Sequence, residues 1–243
     1  MSTFTGQPSI FSARGLALNE ANLSHQLGEK MFTADGRAFR YARAGSGAAL
    51  VTGNLLQAEA EDTGEQGVAI AAAAVGDTTI TTTDSLTVTA NEYAGGYITV
   101  TVTPGLGQTF KIQSHPAATA ATVVFTIEDP VGVALTTVTR IDIVPNLYAA
   151  VIQKPATETG SIVGVAVNAI SASQYGWIQV EGPANVLNDA GTIVVGNIVV
   201  ASDATAGAVE NGANASTEAQ PVVGVAMTGI DANQNGLVNL KIG

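Results

Sequence analysis

The sequence predicts an all-β protein: an extended N-terminal arm, then a small β-barrel or sandwich carrying an inserted β-lobe. Three observations carry that prediction. Charged residues make up only 12% of the 243 positions while 46% are hydrophobic, and Ala, Val, Thr and Gly dominate; β-branched residues suit a pleated, half-buried surface and glycine serves tight turns. No heptad pattern of a helix bundle occurs. Finally, "VGVAVNAISASQYGWIQV" (163–180) returns at an offset of 60 as "VGVAMTGIDANQNGLVNL" (223–240).

The two copies match at eight of eighteen ungapped positions, among them Gly164/Gly224, Ile170/Ile230, Gln174/Gln234 and Gly176/Gly236. Each reads as a strand, a polar turn and a second strand of alternating character, Trp177-Ile178-Gln179-Val180 and Leu237-Val238-Asn239-Leu240.

In chain order, residues 1–30 show no clean period and read as an arm. A first β unit spans 31–84; "ADGR" (34–37) is a good hairpin turn ahead of "AFRYARAG", and a weaker third copy of the hairpin, "GVAIAAAAVGDTTITT", begins at Gly67. Residues 85–144 form the inserted lobe, with strands around Leu86–Val88, Tyr97–Val102, Thr109–Gln113, Val123–Ile127 and Arg140–Val144 broken by Gly and Pro pairs. Residues 145–243 hold the second and third units. A turn and strand precede each hairpin, "GNLL" (53–56), "PNLY" (145–148) and "GNIV" (196–199), at a spacing that grows from 14 to 19 to 28 residues. Such irregular spacing argues against a solenoid and for three strand-loop-hairpin units closing into one barrel or sandwich.

With no cysteine, disulfides and thiolate metal sites are excluded. No apolar run approaches the ~18 residues of a membrane span, and the N-terminus lacks a basic region followed by an apolar stretch, so no secretory signal is expected. The net charge of −11 is uneven: residues 1–43 carry five basic and three acidic side chains, the remaining 200 carry 4 and 17. An acidic body of this kind argues against nucleic-acid binding, which needs clustered Lys and Arg.

No motif assembles a catalytic or metal site. "DANQNG" (231–236) opens like a calcium loop, but its twelfth position is Ile242, where a bidentate carboxylate is needed; it reads as a hairpin turn. His25 and His115 have no second ligand or nucleophile at useful spacing. "GSG" (45–47) and "GLG" (105–107) lack the lysine of a phosphate cradle, "EAEDTGE" (59–65) reads as a solvated loop, and Glu128 and Asp129 point to opposite faces of a strand. The only tryptophan, Trp177, reads as a core residue ahead of an interface residue. The expectation is a non-enzymatic protein without cofactor or metal, one that binds and holds.

Several stretches resemble virion structural proteins of tailed bacteriophages: "LGEKMFTADGRAFRYARAGSGAALVTGNLLQ" (27–57), "EYAGGYITVTVTPGLGQTFKIQSHPA" (92–117), "PNLYAAVI" (145–152), "QYGWIQVEGPANVL" (174–187) and "VGNIVVASDATAGAV" (195–209). They cover about half the chain. The last, followed by "VGVA", is also similar to the small β-domain of lambda-type head decoration proteins. The resemblance implies a capsid decoration or cement protein, a homotrimer on the outer surface of an expanded head, made in the host cytoplasm, with the major capsid protein as partner and no nucleic acid or membrane. The chain departs from it in being about twice a minimal decoration domain. On this reading Arg14, Lys30, Arg37, Arg40 and Arg43 are candidate capsid contacts, Tyr175 and Trp177 candidate oligomer contacts. The alternative is a tail, baseplate or adhesin-type virion protein that binds a host-surface ligand.

Overall fold

In the computed structural model, which describes residues 16–212 and 220–243, strands follow the period-2 burial that the sequence predicts. They run β1 (Lys30–Phe32), β2 (Ala38–Arg43), β3 (Leu55–Gln57), β4 (Val68–Ala69), β5 (Thr79–Thr81), β6 (Leu86–Val88), β7 (Tyr97–Val102), β8 (Thr109–Ser114) and β9 (Ala118–Ala121). Then come β10 (Val124–Ile127), β11 (Arg140–Val144), β12 (Ile152–Gln153), β13 (Ile162–Ala166), β14 (Tyr175–Leu187), β15 (Ile198–Ala201), β16 (Val209–Asn211), β17 (Val222–Ala226) and β18 (Asn235–Lys241). The chain is all-β, as expected.

Two compact units divide it, one of Met1–Ala60 with Leu147–Gly243 and one of Glu61–Asn146. The lobe therefore begins at 61, not 85, and takes in the segment with Gly67. There β4 pairs with β11 inside a six-stranded sheet of order β4-β11-β7-β8-β10-β5, beside the two-stranded β6-β9. The lobe has its own core, in which Ile98, Phe110, Ile112, Phe125, Ile141 and Ile143 are buried together.

The first unit is a duplication. Its sheet runs β12-β3-β13-β14-β18-β17-β15-β16, a sequence whose two halves mirror each other. The hairpin β13–β14 pairs Val165 with Gln179 and Ala166 with Ile178; β17–β18 pairs Val225 with Asn239 and Ala226 with Val238, each shifted by sixty. Both turns place their third residue in the left-handed region, Ser173 at φ 61° and Asn233 at φ 59°. The equivalence extends beyond the repeat visible in the sequence. Gly53 N–H donates to Ala166 O and Gly196 N–H to Ala226 O; reciprocal bonds tie Leu50 to Ile170 and Ile193 to Ile230. "GNLL" and "GNIV" thus sit in the same place, each edging its hairpin.

This pairing differs from the one that sequence spacing suggested. "GNLL" meets the hairpin at 163–180 across the inserted lobe, not the one at Gly67, and "PNLY" forms no strand, so the first unit holds two copies of the module, not three. The long β14 explains the join. Its residues 175–181 close the first copy against β2, and its residues 181–187 open the second against β18. A parallel bridge, Ala44 to Val151 in one copy and Asn188 to Val209 in the other, brings the first strand of each copy to its third. Each copy is a five-stranded barrel, β2-β14-β13-β3-β12 and β14-β18-β17-β15-β16.

The barrel interiors correspond side chain for side chain: Leu50/Ile193, Leu56/Val199, Val151/Val209, Val163/Val223, Ile170/Ile230 and Ile178/Val238 are all buried. One shared glycine shows why the repeat keeps its spelling. A Cβ on Gly224 would lie 2.1 Å from Asn239 O, and one on Gly164 2.8 Å from Gln179 O, so only glycine lets the strands of each hairpin approach at this irregular step.

Candidate interaction surface

Strand β2 is two-sided. Ala42 points into the first barrel, while Phe39 and Tyr41 face outward into a second small core with Leu16, Met31 and Trp177. Residues 16–30, the described part of the expected arm, make this outer layer: Glu20 bridges to Tyr175, Gly28 N–H donates to Tyr41 O, and Asn168 Nδ2 donates to Leu16 O at 2.7 Å. They are packed on the body. Residues 1–15, and with them Arg14, lie outside the described residues.

The other four candidate capsid contacts lie along the hairpin β1–β2, where Lys30 and Arg40 are cross-strand partners and Arg43 points to the opposite face. Each cation sits over an aromatic ring: Lys30 over Phe32 (5.1 Å), Arg37 over Phe39 (5.5 Å), Arg40 over Tyr148 (5.8 Å) and Arg43 over Tyr175 (5.8 Å). Such seats hold the stems down; the Arg40 Nε is itself buried, with no hydrogen-bond partner among the described residues. Lys30 reaches Glu181 at 3.8 Å and Arg37 reaches Asp35 at 2.8 Å. Among the described residues Arg40 and Arg43 have no carboxylate within salt-bridge distance; Arg40 donates to Gly28 O (2.7 Å) and Arg43 to Ser173 O (3.4 Å). Hydrogen bonds from Ser24 and Tyr41 hold the Glu20 carboxyl below its ordinary range, and one from Thr33 does the same for Asp35. Burial, with Glu20 as hydrogen-bond acceptor, pushes the Tyr41 hydroxyl up.

The two candidate oligomer contacts separate. Tyr175 is half-buried, stacked on Tyr41 at 6.0 Å. Trp177 is 1% exposed, with the rings of Tyr41 and His25 each at 5.1 Å, so it is a core residue of the folded chain and presents no surface to a partner.

Both histidines are structural. His25 packs between Tyr41 and Trp177, 3.4 Å from Glu29. His115 is buried; its Nε2 accepts from Tyr93 N–H and its Nδ1 lies 3.0 Å from Pro116 O, which assigns the proton to Nδ1. "DANQNG" is the turn of β17–β18, and no group of three metal-ligating side chains occurs among the described residues. Glu128 pairs with Lys111 at 2.9 Å.

One cluster had no signal in the sequence. Lys154 is fully buried, its Nζ donating to Ser202 O and to Ala156 O (3.0 Å) and pairing with Glu158 at 2.8 Å. Near it Asp189 accepts from Ser202 Oγ at 2.9 Å. Burial, then the charges of Asp203 and Asp189, push the Glu210 carboxyl up. Lys154 also knits the two barrels through the main chain, its N–H donating to Leu55 O and its carbonyl accepting from Gly207 N–H.

No family model, curated protein or solved structure matches the chain.

Proposed function

We propose that the chain is a virion structural protein, a decoration or cement protein that binds the outside of an expanded phage head and stabilises it across subunits. Its partners on this reading are the major capsid protein and further copies of itself as a homotrimer; it uses no nucleic acid, membrane or cofactor and is not an enzyme. The observation that supports it best is the cationic hairpin. In a chain of net charge −11, four basic residues lie along the hairpin β1–β2, two of them without a carboxylate partner among the described residues. An acidic shell surface would supply those partners, and the acidic remainder would keep particles soluble and mutually repelling. Binding only the assembled shell stabilises it by mass action.

A second reading, a tail, baseplate or adhesin-type protein, draws on the lobe of Glu61–Asn146, which has a core of its own and is not needed to complete either barrel.

The test is cosedimentation with expanded shells that lack the protein, followed by imaging of the pelleted particles. Wild type pellets with the shells and binding weakens with salt. Arg40→Glu/Arg43→Glu, checked for folding by circular dichroism, binds at least about tenfold more weakly, which corresponds to about 1.4 kcal/mol. Absence of binding to competent shells sinks the decoration reading, and unchanged binding of the double variant removes the hairpin from it.

A further inference from the structure

The duplicated barrel is its own control. Equivalent positions share backbone geometry, so a difference in their burial reports a difference in what packs on top. On the outer face of the first barrel, Leu55 and Val165 are fully buried in one core cluster with Ala184 and Leu240 of the second barrel. Trp177 on the same face is covered by the segment containing Leu16 and Met31.

On the second barrel these positions are Ile198, Val225 and Leu237, and they are 56%, 40% and 36% exposed. They are neighbours. Ile198 lies directly opposite Val225 across β15 and β17, and Met227, 45% exposed, donates its N–H to Leu237 O from the end of β17. The face has kept the apolar character of its counterpart, but no described segment of the chain covers it. A row of large apolar side chains on adjacent strands marks an interaction site more often than an isolated one does.

We infer that this outer face of β15, β17 and β18 is the site at which a second copy of the chain docks. The first barrel identifies the occupant: there the same face is taken by a barrel of this same chain, with the rim residues Ala184 and Leu240 set against it. The inference deepens the self-association in the function proposed above, and moves its contact from Trp177 to the equivalent Leu237. It does not depend on shell binding.

Sedimentation velocity of the full chain in the absence of shells tests it, over a concentration series. Wild type is expected at a multiple of 24.4 kDa, and Ile198→Glu/Val225→Glu at the monomer mass with an unchanged circular dichroism spectrum. If that variant fails to fold, Leu237→Ser replaces it. Because the chain has no cysteine, Ile198→Cys adds a single thiol, whose maleimide labelling slows at least about tenfold as concentration rises through the association range. Three results overturn the inference: a wild type that is monomeric throughout, an oligomer that survives these substitutions, or a Cys at 198 that is protected at every dilution, which would mean that the chain's own residues 1–15 or 213–219 cover the face. Failure of shells to bind while this association holds removes the decoration reading alone.

Discussion

Replacing Trp177 tests the outer layer that residues 16–31 lay on the first barrel. The ring is 1% exposed and touches Tyr41 and His25. Truncation of a buried Trp to Ala costs about 3–5 kcal/mol, lost transfer energy and cavity together. At about 2–4 °C per kcal/mol for a domain of this size, the melting temperature of the barrel unit falls by about 6–20 °C. Trp177→Phe separates packing from polarity. It removes about three methylene-equivalents at ~0.8 kcal/mol each, about 2 kcal/mol. It also removes an indole N–H that is buried without a hydrogen-bond partner among the described residues, a defect that costs about 1–3 kcal/mol. The two effects nearly cancel, so Trp177→Phe stays within about 1 kcal/mol of wild type. Since Trp177 is the only tryptophan, far-UV circular dichroism rather than fluorescence follows the melts. A Trp177→Ala variant within 1 kcal/mol of wild type would refute the burial argument, and a Trp177→Phe cost of ~3 kcal/mol would mean that the indole N–H is satisfied.

Two further predictions concern the second barrel. The Glu210 carboxyl is raised by burial and by Asp203 and Asp189. A carboxyl raised on folding contributes stability that is fully present below its unfolded value, about 4.3, and is lost as pH rises through its folded value. Glu210→Gln cannot ionise, so it should melt higher than wild type at pH 7.5, with the gap closing near pH 4; a gap constant with pH, or of opposite sign, contradicts the assignment. Gly224→Ala would set a Cβ 2.1 Å from the backbone oxygen of Asn239, which cannot yield as a side-chain tip would, and should cost about 3 kcal/mol. Gly47→Ala, with nothing within 4 Å of its Cβ, is the control and should stay within about 0.5 kcal/mol in urea unfolding.

The hairpins were legible in the sequence because their constraints are local. A left-handed third turn residue, a glycine at the close step and alternating apolar positions each leave a residue type behind at fixed spacing. The other half of the module was hidden for two reasons. Residues 38–57 and 181–200 share little beyond the Val-x-Gly-Asn of 51–54 and 194–197 and side-chain size, since barrel interiors tolerate any apolar residue that fills the volume, and the inserted lobe separates the first of them from the hairpin that it edges. The "GVA" at Gly67 is a local likeness with a different partner. Nothing local marks Lys154 as buried. Ala156 O and Glu158 are local partners, but Ser202 O is brought to it by the packing of one barrel on the other.

The duplication also explains why the two barrels diverged where they did. Interior pairs are conserved in kind because each barrel must fill the same space. Divergence falls on the outer face, where Leu55 faces the second barrel and Trp177 faces residues 16–31, while Ile198 and Leu237 face no described part of the chain. An unused face would gain polar residues at little cost, since surface substitutions are usually within about 0.5 kcal/mol. One neighbour did so: Asn235 stands where the first copy has Tyr175. Ile198, Val225, Met227 and Leu237 did not, and retention of apolar residues at these positions alone is what a contact with a further barrel of the same kind requires.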